Sequence, residues 1–111
     1  MLSVNGLVVI PEEMNMRRND VKDGSYLSFV VVSQDYKKQQ HRYQASIFIR
    51  EKEVDEWEKK IQPGNVFNIE HGYWEMKEYE GGKYPIPQIR LNSYNFKKLK
   101  TAFWLDQEEM E

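Results

Sequence analysis

Cysteine is absent from this 111-residue chain. That excludes disulfide staples, thiolate metal sites and cysteine nucleophiles together. Long apolar runs are missing too: none exceeds four residues, as in Phe29-Val30-Val31-Val32, far short of the roughly 20 residues a spanning helix needs. No membrane partner is therefore expected. The opening Met1-Leu2-Ser3-Val4-Asn5 has no basic stretch ahead of an apolar core, so a secretory signal is not expected and a cytoplasmic location is. Proline and glycine are sparse, at 4 and 6, which excludes collagen-like and low-complexity chains. What is present is 40% hydrophobic, 14% aromatic and 31% charged residues. At this length that composition supports one core and one domain, burying about two-thirds of the unfolded surface.

The formal net charge of −2 hides an asymmetry. Residues 101–111 hold Asp106, Glu108, Glu109 and Glu111 and no base, so residues 1–100 carry 16 basic and 14 acidic groups. Within that body, residues 35–50 carry Lys37, Lys38, Arg42 and Arg50 against Asp35 alone. Segregation of sign along a chain says more about partners than its total does.

Periodicity predicts strands over most of the chain. Leu2 to Ile10 alternates and is closed by Pro11, which lacks the ladder donor. Segment 12–24 is charged, ends in Asp23-Gly24 and reads as a loop. Tyr26 to Ser33 is β-branched with Leu27, Phe29 and Val31 on one face, and Tyr43 to Ile49 forms its hairpin partner. Glu51 to Ile61 is helical, because Val54, Trp57 and Ile61 fall on one side, acids crowd the first turns and lysines the last. Trp57, Phe29 and Phe67 are expected core residues. Pro63-Gly64-Asn65 stops the helix. A fourth strand runs from Val66 to Trp74, where Gly72 suggests a bulge or barrel corner. Glu80 to Lys83 is a hairpin tip, and Tyr84 to Phe96 a fifth strand with Ile89 and Leu91 facing the core. Three strands, a helix and two strands are the order of a five-stranded Greek-key barrel, the OB-fold, with its helix between strands 3 and 4. An SH3-like barrel or an open five-stranded sheet with one helix are the alternatives. The predicted organisation is a barrel over residues 1–100 and a short acidic, aromatic tail over 101–111.

Nothing in the chain supports catalysis. His41 and His71 have no carboxylate at ligand spacing, so no metal site is expected. Glu80-Gly81-Gly82-Lys83 lacks the Ser/Thr and the strand–loop–helix setting of a phosphate loop. No cofactor is implied. What stands out is aromatics interleaved with bases, the pairing that unpaired nucleic acid requires: rings stack on bases while Lys and Arg neutralise phosphates. One cluster is Tyr36-Lys37-Lys38, His41-Arg42-Tyr43, Phe48 and Arg50. Arg42, Gln44, Ser46, Phe48 and Arg50 share the polar face of their strand, so Phe48 is expected there among charges with nothing apolar beneath it, unless it is a core or dimer contact. The second cluster is Tyr73-Trp74, Lys77 and Tyr79 with Lys83 and Tyr84, spanning the last hairpin. Tyr73 and Trp74 cannot both point inward on a regular strand, and either one can be the core residue.

The chain resembles the bacterial and phage single-stranded DNA-binding protein family over roughly residues 1–100. The resemblance rests on an ordered set of segments: Leu2-Ser3-Val4-Asn5-Gly6-Leu7-Val8-Val9, Tyr26 to Val32, Tyr43 to Ile49, the helix with Trp57, Pro63 to Glu70, and Ile89-Arg90-Leu91. It implies stacking by Tyr36, by Phe48 with Tyr43, and by Tyr79, on a chain that forms dimers or tetramers through its first strand. Three departures stand out. One residue more than usual separates Ile69 from Gly72. Ile49 stands where glycine is common. Phe103-Trp104-Leu105 follows the barrel almost directly, in place of a long linker with an acidic tip. Those three residues are either a partner-recruiting tip for a replication protein or an arm that packs on a neighbour.

The expected function is thus a non-enzymatic protein, encoded by a phage or mobile element, that coats single-stranded DNA during replication or recombination in a bacterial cell or infected host. Stacking falls to Tyr36, Tyr43, Phe48, Tyr79 and one of Tyr73 and Trp74. Phosphates fall to Lys37, Lys38, Arg42, Arg50, Lys77, Lys83 and Arg90. The alternatives are an OB-fold interaction module docking a polymerase, helicase or other protein, and RNA binding in the same groove.

Overall fold

A computed structural model describes residues 3–78, 81–82 and 84–99. Its strands are β1 (Ser3–Val9), β2 (Arg17–Val21), β3 (Gly24–Gln34), β4 (Gln40–Arg50), β5 (Val66–Lys77), β6 (Ile86–Asn92) and β7 (Phe96–Lys98). A single 3-10 turn over Glu51–Glu53 leads into the helix α1 (Val54–Lys60), between β4 and β5.

Five of the strands close a barrel. β1 pairs with β5 along its length and meets β3 at Val9 opposite Val32. β3 and β4 form a long antiparallel hairpin from Gly24–Arg50 to Gln34–Gln40. β4 then pairs in parallel with β6, and β6 pairs antiparallel with β5. This circuit, with the helix between the third and fourth barrel strands, is the OB-like all-β fold that the element order predicts.

The core follows from the period-two patterns. Leu27, Phe29 and Val31 of β3 and Ala45, Ile47 and Ile49 of β4 are fully buried, as are Ile89 of β6 and Phe67 and Ile69 of β5. Val54, Trp57 and Ile61 lay the helix on one end of this core. Phe96 sits at its aromatic centre, stacked 4.1 Å from Phe67 and nearly parallel to it, and packed within about 6 Å of both Phe29 and Trp57. Truncating any one of these buried rings costs about 3–5 kcal/mol.

Three expectations need correction. Segment 12–24 is not all loop: Arg17–Val21 pairs residue for residue with Ser28–Gly24 of β3. Its five side chains are all exposed, so no apolar alternation marks it, and it exists because β1 leaves that stretch of the β3 edge unpaired. The tight turn before β3 is possible because Asp23 takes φ 73°. The fifth predicted strand breaks in two, β6 ending at Asn92 and β7 resuming at Phe96 against β5. The fourth is longer than predicted, reaching Lys77. It carries its irregularity between Ile69 and Gly72, where two residues oppose Asn5 alone. Beyond that bulge β5 changes partner from β7 to β6, the corner that Gly72 and the extra residue suggested.

Candidate nucleic-acid interface

The bulge decides which β5 aromatic faces out. Tyr73 points outward, opposite Arg90, its ring meeting His71 edge-on at 4.6 Å. Trp74 turns inward, half-buried against the core, and meets Tyr43 edge-on at 5.2 Å. Tyr43 shares the inner face of β4 with Ala45 and Ile47, so this pair closes one end of the barrel interior rather than lining its outside.

The outer face is built from alternate residues of four paired strands. Register aligns Tyr26, Phe48 and Asn92 in one row and Ser28, Ser46, Arg90 and Tyr73 in the next. Val30, Gln44, Gln88 and Glu75 form a third. Phe48 is not isolated among charges as expected. Its ring lies 5.2 Å from Tyr26, and it covers Gly24, where an added Cβ would come within 2.8 Å of the ring. It still keeps 36% of its surface exposed.

Across this face runs a trough. A cleft of about 750 Å³ lies between β2 and the start of the β5–β6 hairpin, lined among others by Arg17, Asn19, Tyr26 and Lys77. A second, of about 510 Å³, shares Asn19, Tyr26, Ser28 and Lys77 with the first and extends to Arg90. Arg90 in turn joins a third, smaller cleft with Phe48, Arg50 and Tyr94. Its electrostatics are mixed. Arg90 lies 3.5 Å from Glu75, and the Gln88 amide donates to that same carboxylate. Arg18 is held by Asp20 at 2.7 Å and by Glu58 of the helix, which ties β2 to α1. The Asp20 carboxyl is kept below the ordinary aspartate range by hydrogen bonds from the Ser25 hydroxyl and then from Arg18. Arg17 and Arg50 make no ion pair among the described residues, and so keep their charge available to a ligand.

The structure thus brings Phe48, Tyr73, Arg50, Lys77 and Arg90 to one face. The other described candidates lie elsewhere. Tyr36, Lys37 and Lys38 stand at the β3–β4 tip, six ladder positions from Ser28, about 20 Å at strand rise. Tyr36 is 90% exposed with the Lys37 ammonium 5.6 Å from its ring centre. That tip is organised by Asp35, whose carboxylate accepts from the Lys37 and Gln39 amides and bonds His41 Nε2 at 2.9 Å. Arg42 reaches away from the trough to the Glu13 carbonyl, 3.3 Å. Tyr79, Lys83, Phe103, Trp104 and Leu105 lie outside the described residues. Sequence reasoning missed Arg17, Asn19, Tyr26 and Tyr94. Tyr26 could have been found, since it is out of phase with Leu27, Phe29 and Val31 and so shares the face of Phe48.

Among the described residues no group of three His, Asp or Glu side chains could hold a metal ion, and no helix is long and apolar enough to cross a membrane. No protein-family model matches the chain, and no curated protein matches it in sequence.

Proposed function

We propose that the chain is a non-catalytic single-stranded DNA-binding protein, acting in the cytoplasm to coat unpaired strands during replication or recombination, as a homo-oligomer. One observation carries this reading: a row of adjoining clefts on the outer sheet face that brings the Tyr26–Phe48 ring pair together with Arg17, Arg50, Lys77 and Arg90. Bases stack on exposed rings whatever their identity, each contact being worth about 1–3 kcal/mol, and cations beside the rings take the phosphates. A strand lying along this face would meet Tyr26 in the first two clefts and Phe48 in the third, with Tyr73 beside Arg90 on the same face. The phage or mobile-element origin rests on the family resemblance alone.

Anisotropy of a labelled dT oligonucleotide, titrated at 20 mM and 200 mM salt, tests the proposal. Binding that weakens steeply with salt is expected, because bound cations release counterions. Absence of binding at low salt ends the reading. An oligo-U competitor in the same titration separates DNA from RNA.

A second reading is favoured by Glu75 and Glu78, which line the same trough. Acids there disfavour a polyanion and suit a protein segment of mixed charge, such as a replication protein. Capture of such a partner after nuclease treatment, with no salt-sensitive binding to dT, would select it.

A further inference from the structure

Three valines are buried on the outside of the barrel. Val9, Val32 and Val66 are out of phase with the inward Val8, Val31 and Phe67, yet only 6%, 4% and 1% exposed. Val66 pairs with Val9 and Val9 with Val32, so they form an apolar strip across β5, β1 and β3. Leu99 packs on this strip, and its amide donates to the Val66 carbonyl at 2.8 Å. From Val9 and Val32 the strip continues into a cleft of about 330 Å³, walled by Ile10, Pro11 and Pro63 and lined also by the polar Glu12, Gln40 and Arg42. This cleft shares no lining residue with the trough.

We propose that this cleft seats the chain's own Phe103-Trp104-Leu105 segment. Residues 100–111 lie outside the described residues, but Leu99 delivers the chain onto the strip that leads there. Three residues, Lys100 to Ala102, separate Leu99 from Phe103, a reach of up to about 13 Å when extended. Val9, Ile10, Pro11, Val32 and Pro63 give the cleft an apolar floor, Glu12, Gln40 and Arg42 also line it, and its volume falls at the low end of the roughly 300–1,000 Å³ typical of ligand sites. Three consecutive large apolar side chains left in water would form the kind of patch that demands a cover. Charge runs in the same direction. Asp106, Glu108 and Glu109 follow the apolar trio; of the two charged residues lining the cleft, Glu12 and Arg42, Arg42 has no carboxylate partner among the described residues and is the one an acidic tail would meet. Lys37 stands farther along the same hairpin. The tail is therefore an intramolecular arm, and Arg42 its anchor rather than a phosphate contact. This inference does not depend on nucleic-acid binding.

The test uses the full chain with Trp104 replaced by the photo-crosslinker p-benzoylphenylalanine, irradiated as an equal mixture of isotopically heavy and light protein. Crosslinks within one chain to residues 9–12, 32, 42 or 63–64 are expected. Crosslinks to residues 15–19, 26 or 77, crosslinks only between heavy and light chains, or none at all would overturn the proposal. In the same background Arg42→Glu should lower the within-chain yield several-fold while the circular dichroism spectrum and melting temperature stay unchanged. A yield that survives the charge reversal in a folded protein also overturns it.

Discussion

Tyr26 and Phe48 face each other across the β3–β4 ladder on the outside of the barrel, ring centres 5.2 Å apart and planes tilted by 56°. One ring supports the other, so a base laid on Phe48 would meet a surface already fixed in orientation. Replacing Phe48 with Ala should weaken dT binding by about 1–3 kcal/mol, roughly 5- to 150-fold, and lower the melting temperature by only a few degrees. Phe29→Ala, which empties the core, should cost about 3–5 kcal/mol of stability instead. Paired titration and thermal melts of the two variants check the contrast; a collapse of stability in Phe48→Ala would show that the ring's role is structural.

Gly24 is required by close approach. A Cβ there would lie 2.2 Å from the Ile49 carbonyl oxygen and 2.8 Å from the Phe48 ring. The carbonyl belongs to the backbone of the paired strand and cannot rotate aside. Gly24→Ala should therefore destabilise the protein by about 1–3 kcal/mol, the usual cost of overpacking, read as a lower urea midpoint. It should also weaken dT binding, by moving the ring that Gly24 supports.

Arg17 and Lys37 are both exposed cations, but only Arg17 lines the trough. For a short dT oligonucleotide, Arg17→Glu should reduce affinity and flatten the plot of log affinity against log salt by about 0.7 or more, the contribution of one phosphate on a single strand. Lys37→Ala, about 20 Å up the hairpin by strand rise, should leave that slope unchanged. Equal effects from both variants would move the binding path to the tip.

At that tip, Asp35 is a pH-sensitive clasp. The His41 ring lowers its carboxyl pKa most, followed by the Gln39 amide and, more weakly, the Lys37 amide. A carboxyl depressed in the folded state contributes its full stabilisation above its unfolded value near 4 and loses it as pH falls through the lower, folded one. The hairpin tip should therefore stay ordered at pH 5 and loosen below about pH 4. The amide resonances of Lys37 and Gln39 should move together in that window, and Asp35→Asn should abolish the transition.

Much of this architecture could be read from alternation. The inward Leu27, Phe29 and Val31 and the helix stripe of Val54, Trp57 and Ile61 obey simple periods, because each buries one face only. β2 escaped because Arg17-Arg18-Asn19-Asp20-Val21 buries neither face; it is held by ladder hydrogen bonds and by Arg18 bridging to Glu58, neither of which leaves a hydrophobic trace. The wall of the trough was therefore invisible, and with it Arg17 and Asn19. Tyr43 and Phe48 were separable by parity, whereas Tyr73 and Trp74 were not. Their phase is set by the bulge at Glu70–His71; Gly72 hints at such a bulge, but which residues it leaves unpaired is defined by the partner strand. Arg42 shares the polar face of β4 with Phe48, but the hairpin's length carries it past the trough to the barrel's mouth.

The parallel seam between β4 and β6 has a consequence for how the molecule comes into being. β6 sits between β4 and β5 in space although it is made after both, so neither of those edges is satisfied until residue 92 is available. A nascent chain halted before that point holds two long ribbons with unmet backbone donors and acceptors. Closure is then a late event linking distant parts of the sequence, which favours slow folding and leaves incomplete chains prone to sticking to one another through those open edges.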